Sequence, residues 1–255
     1  MAMFHRAVRI RRGILQTGVH TWTRGNRTVT LVGTIHIGDR RYYQILQRLL
    51  DDGEEQGALV HFEGTKEPTD EAFASLTNAD RRALDLMGDG QTFAETLVTA
   101  TTGLVTQTDA MTFRSSWVNT DVSELDVIRM VGPQNIVNRF SSFSRTPDMS
   151  AISRLPPMIP VGWFIRFALR YFTAASSLLR AIRPGELDRN VLVKWRNMVA
   201  VTAALNTPDG SHVIAVWGSE HVGGIGALLE RNGFALTTVR WIPAIGRTTP
   251  AGGSA

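Results

Sequence analysis

The chain contains no cysteine, and that removes several chemistries together. Disulfides, thiolate zinc sites, iron–sulfur clusters and a cysteine nucleophile are excluded, so any metal must be held by imidazole and carboxylate. Lysine is nearly absent as well: Lys66 and Lys194 are the only lysines among 27 basic residues. Against 23 acidic residues the net charge is +4, and the densest basic patch spans only residues 6–12. So small and scattered an excess predicts no nucleic-acid partner. No run of about 20 uncharged apolar residues is long enough to span a bilayer. The basic N-terminal stretch also lacks the apolar core of a secretory signal. A cytoplasmic location is the expectation.

What is present suits an α/β fold. With 255 residues and 43% apolar content, the chain can bury a sizeable core. Residues 14–23 and 28–35, separated by Arg24-Gly25-Asn26, read as a hairpin. Residues 40–52 place Tyr43, Leu46, Leu49 and Leu50 on one helical face, with Gly53 and Gly57 marking its end. An apolar strand at 58–62 follows, and this strand–helix–strand order predicts a right-handed parallel crossover. Helices are expected at 79–87 (capped by Asn78), 93–104, 123–131, 134–140, 161–182 and 186–205, with a short strand at 115–121 and a loop at 141–160. Strand 212–217, helix 222–231 and strand 234–241 close the chain. The expected whole is one domain over 1–247: a mixed central sheet with flanking helices, a helical insertion at about 66–206, and a disordered tail at 248–255.

Two segments resemble each other. Val29-Thr-Leu-Val-Gly33-Thr-Ile-His36-Ile-Gly38 aligns without gaps on Ile214-Ala-Val-Trp-Gly218-Ser-Glu-His221-Val-Gly223. In each, an apolar strand ends, Gly33 or Gly218 permits a sharp turn, and His36 or His221 follows just past the strand. Glu63 occupies the same place after a third strand. Ligands bind beyond the carboxyl ends of strands in open α/β sheets, so His36, Glu63 and His221 are expected to converge there. Two imidazoles and a carboxylate suit a divalent metal with open coordination positions; the competing reading is two core histidines satisfied by backbone carbonyls.

These motifs, together with Val60-His-Phe-Glu-Gly64 and Lys194-Trp-Arg-Asn-Met198, resemble the TraB/PrgY/GumN family, which includes the Tiki metalloproteases and lies in a wider group with erythromycin esterase and ChaN-like haem-binding proteins. The resemblance runs from about residue 28 to 241. It implies a Mn- or Co-type metalloprotease, or an activity associated with shutting down peptide pheromones. It carries the two Gly-x-x-His motifs onto Gly33/His36 and Gly218/His221, the acidic residue onto Glu63, and a helical Arg-Asn pair onto Arg196 and Asn197. The chain departs from many relatives in having Glu220 inside the second motif and in lacking the transmembrane segments of several branches.

His36 and His221 are therefore the expected ligands of Mn, Co or Zn, and Glu63 is either the third ligand or the general base. Arg196 offers donors to a carboxylate or a developing oxyanion; its plainer use is an ion pair at the sheet edge. Asn197 would orient Glu63 or bind substrate. Asp121 is either a further site carboxylate or a cap for the helix that follows, and Glu220 either joins the site or faces solvent. His61 alternates with Glu63 along its strand and reads equally well as a core histidine. The expected substrate is a peptide or small molecule, with a non-catalytic protein that sequesters a peptide, haem or another small ligand as the alternative. The helix carrying Trp163 and ending at Ile182 sets Arg166, Arg170, Thr173, Ser177 and Arg180 in one stripe on an otherwise apolar surface. It is expected to pack within the domain or against a second copy; left exposed in a monomer, it would suit a membrane surface.

Overall fold

The computed structural model describes residues 6–140, 161–182 and 191–246. It is an α/β fold built on a mixed sheet with helices on its two faces. β1 (Val8–Arg11), β2 (Ile14–Arg24) and β3 (Arg27–Thr34) are antiparallel neighbours. The predicted hairpin is the β2–β3 pair, and Gly25, at φ +57°, takes the left-handed turn conformation that glycine adopts without strain. After the two-residue strand β4 (Ile37–Gly38) comes helix α1 (Arg40–Glu55), then β5 (Leu59–Phe62). The helix passes through Gly53, and Gly57 at φ +86° marks the turn beyond it.

Between β5 and the next long strand lie helices α2 (Asp70–Ala74), α3 (Asn78–Thr102), α4 (Gln107–Ala110), α5 (Glu124–Val131), α6 (Pro133–Phe140), α7 (Val161–Ile182) and α8 (Val191–Leu205). The strand predicted at 115–121 is β7 (Val118–Asn119), which extends the main sheet beside β5, and the same stretch supplies a strand that was not predicted, β6 (Val105–Thr106), which pairs with β4. The predicted helices at 79–87 and 93–104 are one element, α3, with Gly88 and Gly90 inside it. Its N-cap is Thr77, locked by a reciprocal capping box with Asp80, rather than Asn78. The chain closes with β8 (His212–Gly218), α9 (Val222–Arg231) and β9 (Ala235–Ile245). The predicted loop at 141–160, the start of the helix at 186–190 and the tail at 248–255 lie outside the described residues.

β2 has three partners, and their registers arrange them on two edges. β9 overlaps the stretches paired with both β1 and β3, so those two share the opposite edge. Beyond β3 the strands run parallel in the order β3, β8, β5, β7. From β3 the chain crosses past β8 to reach β5; from β8 it crosses the other way to reach β9. Adjacent strands whose connections diverge form a switch point, which opens a crevice at their carboxyl ends.

The two crossovers use opposite faces. On one face, α1 buries Tyr42, Tyr43, Leu46 and Leu50 against Val32, Val60, Ile214 and Val216. On the other, α9 and α8 bury Val222, Ile225, Leu229, Ala200 and Val201 against Leu31, Val213, Ala215 and Trp217. Each large apolar side chain so buried contributes about 1.5–3 kcal/mol.

Helix α7 lies on the second face, where Leu169 and Ala174 pack against the core. Arg166 and Arg170 point inward. Arg166 donates to the Thr102 carbonyl at 2.9 Å and to Asp39 Oδ1 at 2.5 Å, and Arg170 donates to the Gly246 carbonyl at 2.8 Å. Asp39 Oδ2 also accepts from the Gly246 amide at 2.6 Å. Replacing Asp39 with Ala leaves the buried Arg166 charge unpaired, whereas Arg166→Met removes charge and desolvation cost together. In urea titrations Asp39→Ala is expected to cost about 2–4 kcal/mol and Arg166→Met less than about 1 kcal/mol.

Candidate functional site

At the carboxyl edge of β5 and β8, five side chains from four segments meet. Glu63 follows β5 directly, and its amide donates to the Val216 carbonyl of β8 at 2.8 Å, so the sheet itself aims this residue. Asp121 follows β7. Arg196 and Asn197 lie on α8, and His221 is the residue just before α9.

Arg196 is the centre. Its Nε donates to Asp121 Oδ1 at 2.9 Å, and its Nη2 donates to Asp121 Oδ2 at 2.5 Å and to Glu63 Oε1 at 2.6 Å. Asp121 has no side-chain exposure, and Glu63 and Arg196 each have 14%. Burial would lower the Arg196 pKa, but hydrogen bonds and charge from Asp121 and Glu63 outweigh it and raise it. The guanidinium stays charged, and its fork geometry serves both carboxylates. The other Glu63 oxygen, Oε2, accepts from the Gly218 amide. A Cβ at Gly218 would lie 3.0 Å from that oxygen, so the motif glycine makes room for Glu63.

His221 is fully buried. Its Nδ1 lies 2.6 Å from Asn197 Oδ1. An amide oxygen only accepts, so the geometry assigns the proton to Nδ1 and leaves a lone pair on Nε2. Burial lowers the His221 pKa, with Glu63 opposing and Arg196 adding to the effect, a shift in favour of the neutral ring. Nε2 is buried without a hydrogen-bond partner and faces Glu63 Oε1 at 3.5 Å and Glu220 Oε1 at 3.8 Å. A lone pair directed at carboxylate oxygens is an arrangement that a cation or a shared proton satisfies. The Trp217 ring meets His221 edge-on, with centroids 5.2 Å apart, and Arg196 lies over the same indole at 5.7 Å.

The structure thus brings together Glu63, Asp121, Arg196, Asn197 and His221, with half-exposed Glu220 beside them. Asp121 is an ion-pair partner; the helix cap it was weighed against is supplied by Ser123. His36 occupies the expected edge of the sheet, after β3, but its side chain is exposed. Its backbone is held instead: the Gln107 amide donates to the His36 carbonyl at 2.8 Å, and Tyr43 donates to the preceding carbonyl of Ile35 at 2.7 Å. The reason lies in the register. Gly33 pairs with Trp217, and Thr34 with Gly218, so the two motifs are offset by one residue and equivalent positions face opposite sides of the sheet. Gly33 sits close to Val222 and the Gly18 carbonyl, away from Glu63. Among the described residues no group of three or more His, Asp or Glu is arranged to hold a metal ion.

Two contributors escaped the sequence reading. Asn119 donates to the Gly64 carbonyl at 2.5 Å and accepts from the Asp121 amide at 3.0 Å, strapping the loops of Glu63 and Asp121 together. A Cβ at Gly224 would overlap the Asn197 amide, so glycine there lets α8 approach α9 closely. Asn119 lies two residues before Asp121, within the strand predicted at 115–121; Gly224 follows the second motif with no spacing signal of its own.

No family model matches the chain, and no curated protein or solved structure matches it significantly.

Removing the guanidinium strands two buried carboxylates, so Arg196→Ala is expected to cost about 3–5 kcal/mol in denaturant titrations. A double-mutant cycle with Asp121→Asn should return a coupling of at least about 1 kcal/mol. In long-range 15N–1H spectra His221 should show a protonated Nδ1 and a bare Nε2. Asn197→Leu should abolish that preference while leaving the fold intact by circular dichroism.

Proposed function

We propose that this chain is a metal-dependent hydrolase that cleaves a peptide or amide bond, in keeping with its resemblance to the TraB/PrgY/GumN family. The observation that carries the reading is the buried, partnerless Nε2 of His221 facing Glu63 Oε1 at 3.5 Å. Two ligands of one tetrahedral ion, at bond lengths of about 2.1 Å, stand about 3.4 Å apart. The thiolate-free donors fit Mn, Co or Zn. His221 and Glu63 would hold the ion; His36, the further ligand that the resemblance implies, has an exposed side chain that would have to turn inward to join them. When bound, such an ion acidifies water and polarises a carbonyl group.

The chain's own residues do the rest. Asn197 fixes the His221 tautomer so that Nε2 keeps its lone pair. Arg196 holds Glu63 in place through Nη2, and its Nη1, engaged by neither carboxylate, is free to donate to the oxygen that gains negative charge. Glu63 or Glu220 accepts the proton of the attacking water and returns it to the leaving amine.

A second reading has its own support. Arg196 already occupies Glu63 Oε1, and a guanidinium in that place suits a protein that sequesters a peptide, haem or another small ligand without turnover.

Elemental analysis and a peptide library separate the two. Mn²⁺ or Co²⁺ should support hydrolysis and a chelator abolish it. His221→Ala should lose metal and turnover together, and His36→Ala tests the third ligand. Glu63→Gln with metal kept and turnover lost marks a base; metal lost marks a ligand. A wild-type chain that takes up no divalent ion at millimolar concentration, and whose peptide binding ignores a chelator, is a sequestering protein.

A further inference from the structure

We infer that a second copy of this chain docks on the outer face of α7. Between residues 162 and 174 the exposed residues are Trp163, Phe164, Phe167, Tyr171 and Phe172, all of them aromatic. Phe172 is 77% exposed and Phe164 59%. This is the reverse of an ordinary surface helix, which turns its charges to water. The rings are already ordered: Trp163 stacks on Phe167 with centroids 5.6 Å apart, and Phe167 meets Tyr171 at 4.4 Å. Pre-formed rings lose little freedom on docking.

Area and charge choose the occupant. At about 200 Å² per aromatic side chain, the exposed fractions amount to about 500 Å². That is the upper range of what a monomer leaves in water, and more than half of the roughly 800 Å² each partner buries in a stable complex. A helix resting on lipid keeps cationic side chains beside its apolar face to reach the phosphates. Here Arg166 and Arg170 are turned inward, to Asp39, the Thr102 carbonyl and the Gly246 carbonyl. Between residues 162 and 174 the exposed face carries no charge, so it can pair with itself about a two-fold axis without setting like charges against each other. The interface backs onto the Arg166–Asp39 clamp, three residues from His36. The inference is independent of the chemistry proposed for the Glu63–His221 site.

Sedimentation velocity and light scattering from about 1 to 100 µM test it. The wild-type chain should be a dimer. Phe164→Glu with Phe172→Glu should raise the dissociation constant at least about 100-fold, and Phe172→Ser alone at least about 10-fold. The far-UV spectrum should stay unchanged and the variants should melt where the wild-type chain melts when diluted to monomer, because both rings lie largely in water before docking. A wild-type monomer at 100 µM overturns the inference, as does a dimer indifferent to both variants. A monomer that co-sediments with phosphatidylglycerol–phosphatidylcholine vesicles overturns it in favour of a lipid surface.

Discussion

The Arg196 guanidinium, held between Asp121 and Glu63, is the interaction on which the site depends. It joins three segments far apart in sequence at the carboxyl edge of the sheet. Taking these groups out of water costs several kcal/mol per ion, which attraction offsets only when the remaining donors and acceptors are satisfied. The surroundings meet that condition for the two carboxylates. The Val122 amide donates to Asp121 Oδ1 at 2.8 Å, and the Gly218 amide serves Glu63. Once Glu63 is fixed, the opposing Nε2 of His221 has one environment, and its unpaired state follows from the geometry.

The second constraint is the one-residue offset between β3 and β8. Parallel partners at the same level share a face, so the offset puts Leu31 with Ala215 on one side and Val32 with Val216 on the other. The chain leaves β3 toward the α1 face and β8 toward the α9 face. Two similar strings thereby end in different places: His221 is buried at the start of a helix, while His36 is carried outward by the short β4–β6 ladder. A repeat in sequence need not be a symmetry in space, because a shift of one residue exchanges every side chain between faces.

Helix α7 shows the same principle in rotation. Its arginine stripe and its aromatic stripe are equally plain in the sequence, and either could face the protein. Asp39, the Thr102 carbonyl and the Gly246 carbonyl settle it by offering acceptors to two buried guanidiniums. The aromatic rings are left outside, where their burial awaits a partner. No helix among the described residues is long and apolar enough to cross a membrane.

By itself the sequence determined what depends on local period and local chemistry. The β2–β3 hairpin, the apolar face of α1, the strand ends at Gly33, Glu63 and Gly218, and the helix that sets Arg196 beside Asn197 are all legible, because alternation, 3.6-residue spacing and turn glycines act within a few residues. Tertiary structure alone decided which of these ends converge. That Asp121 pairs with Arg196, that Gly224 admits Asn197, that α3 continues through two glycines and that α7 buries Arg166 and Arg170 each depend on strand register, helix rotation or contact between distant segments. Such choices are made by competition among complete packings, and no local spacing records the outcome.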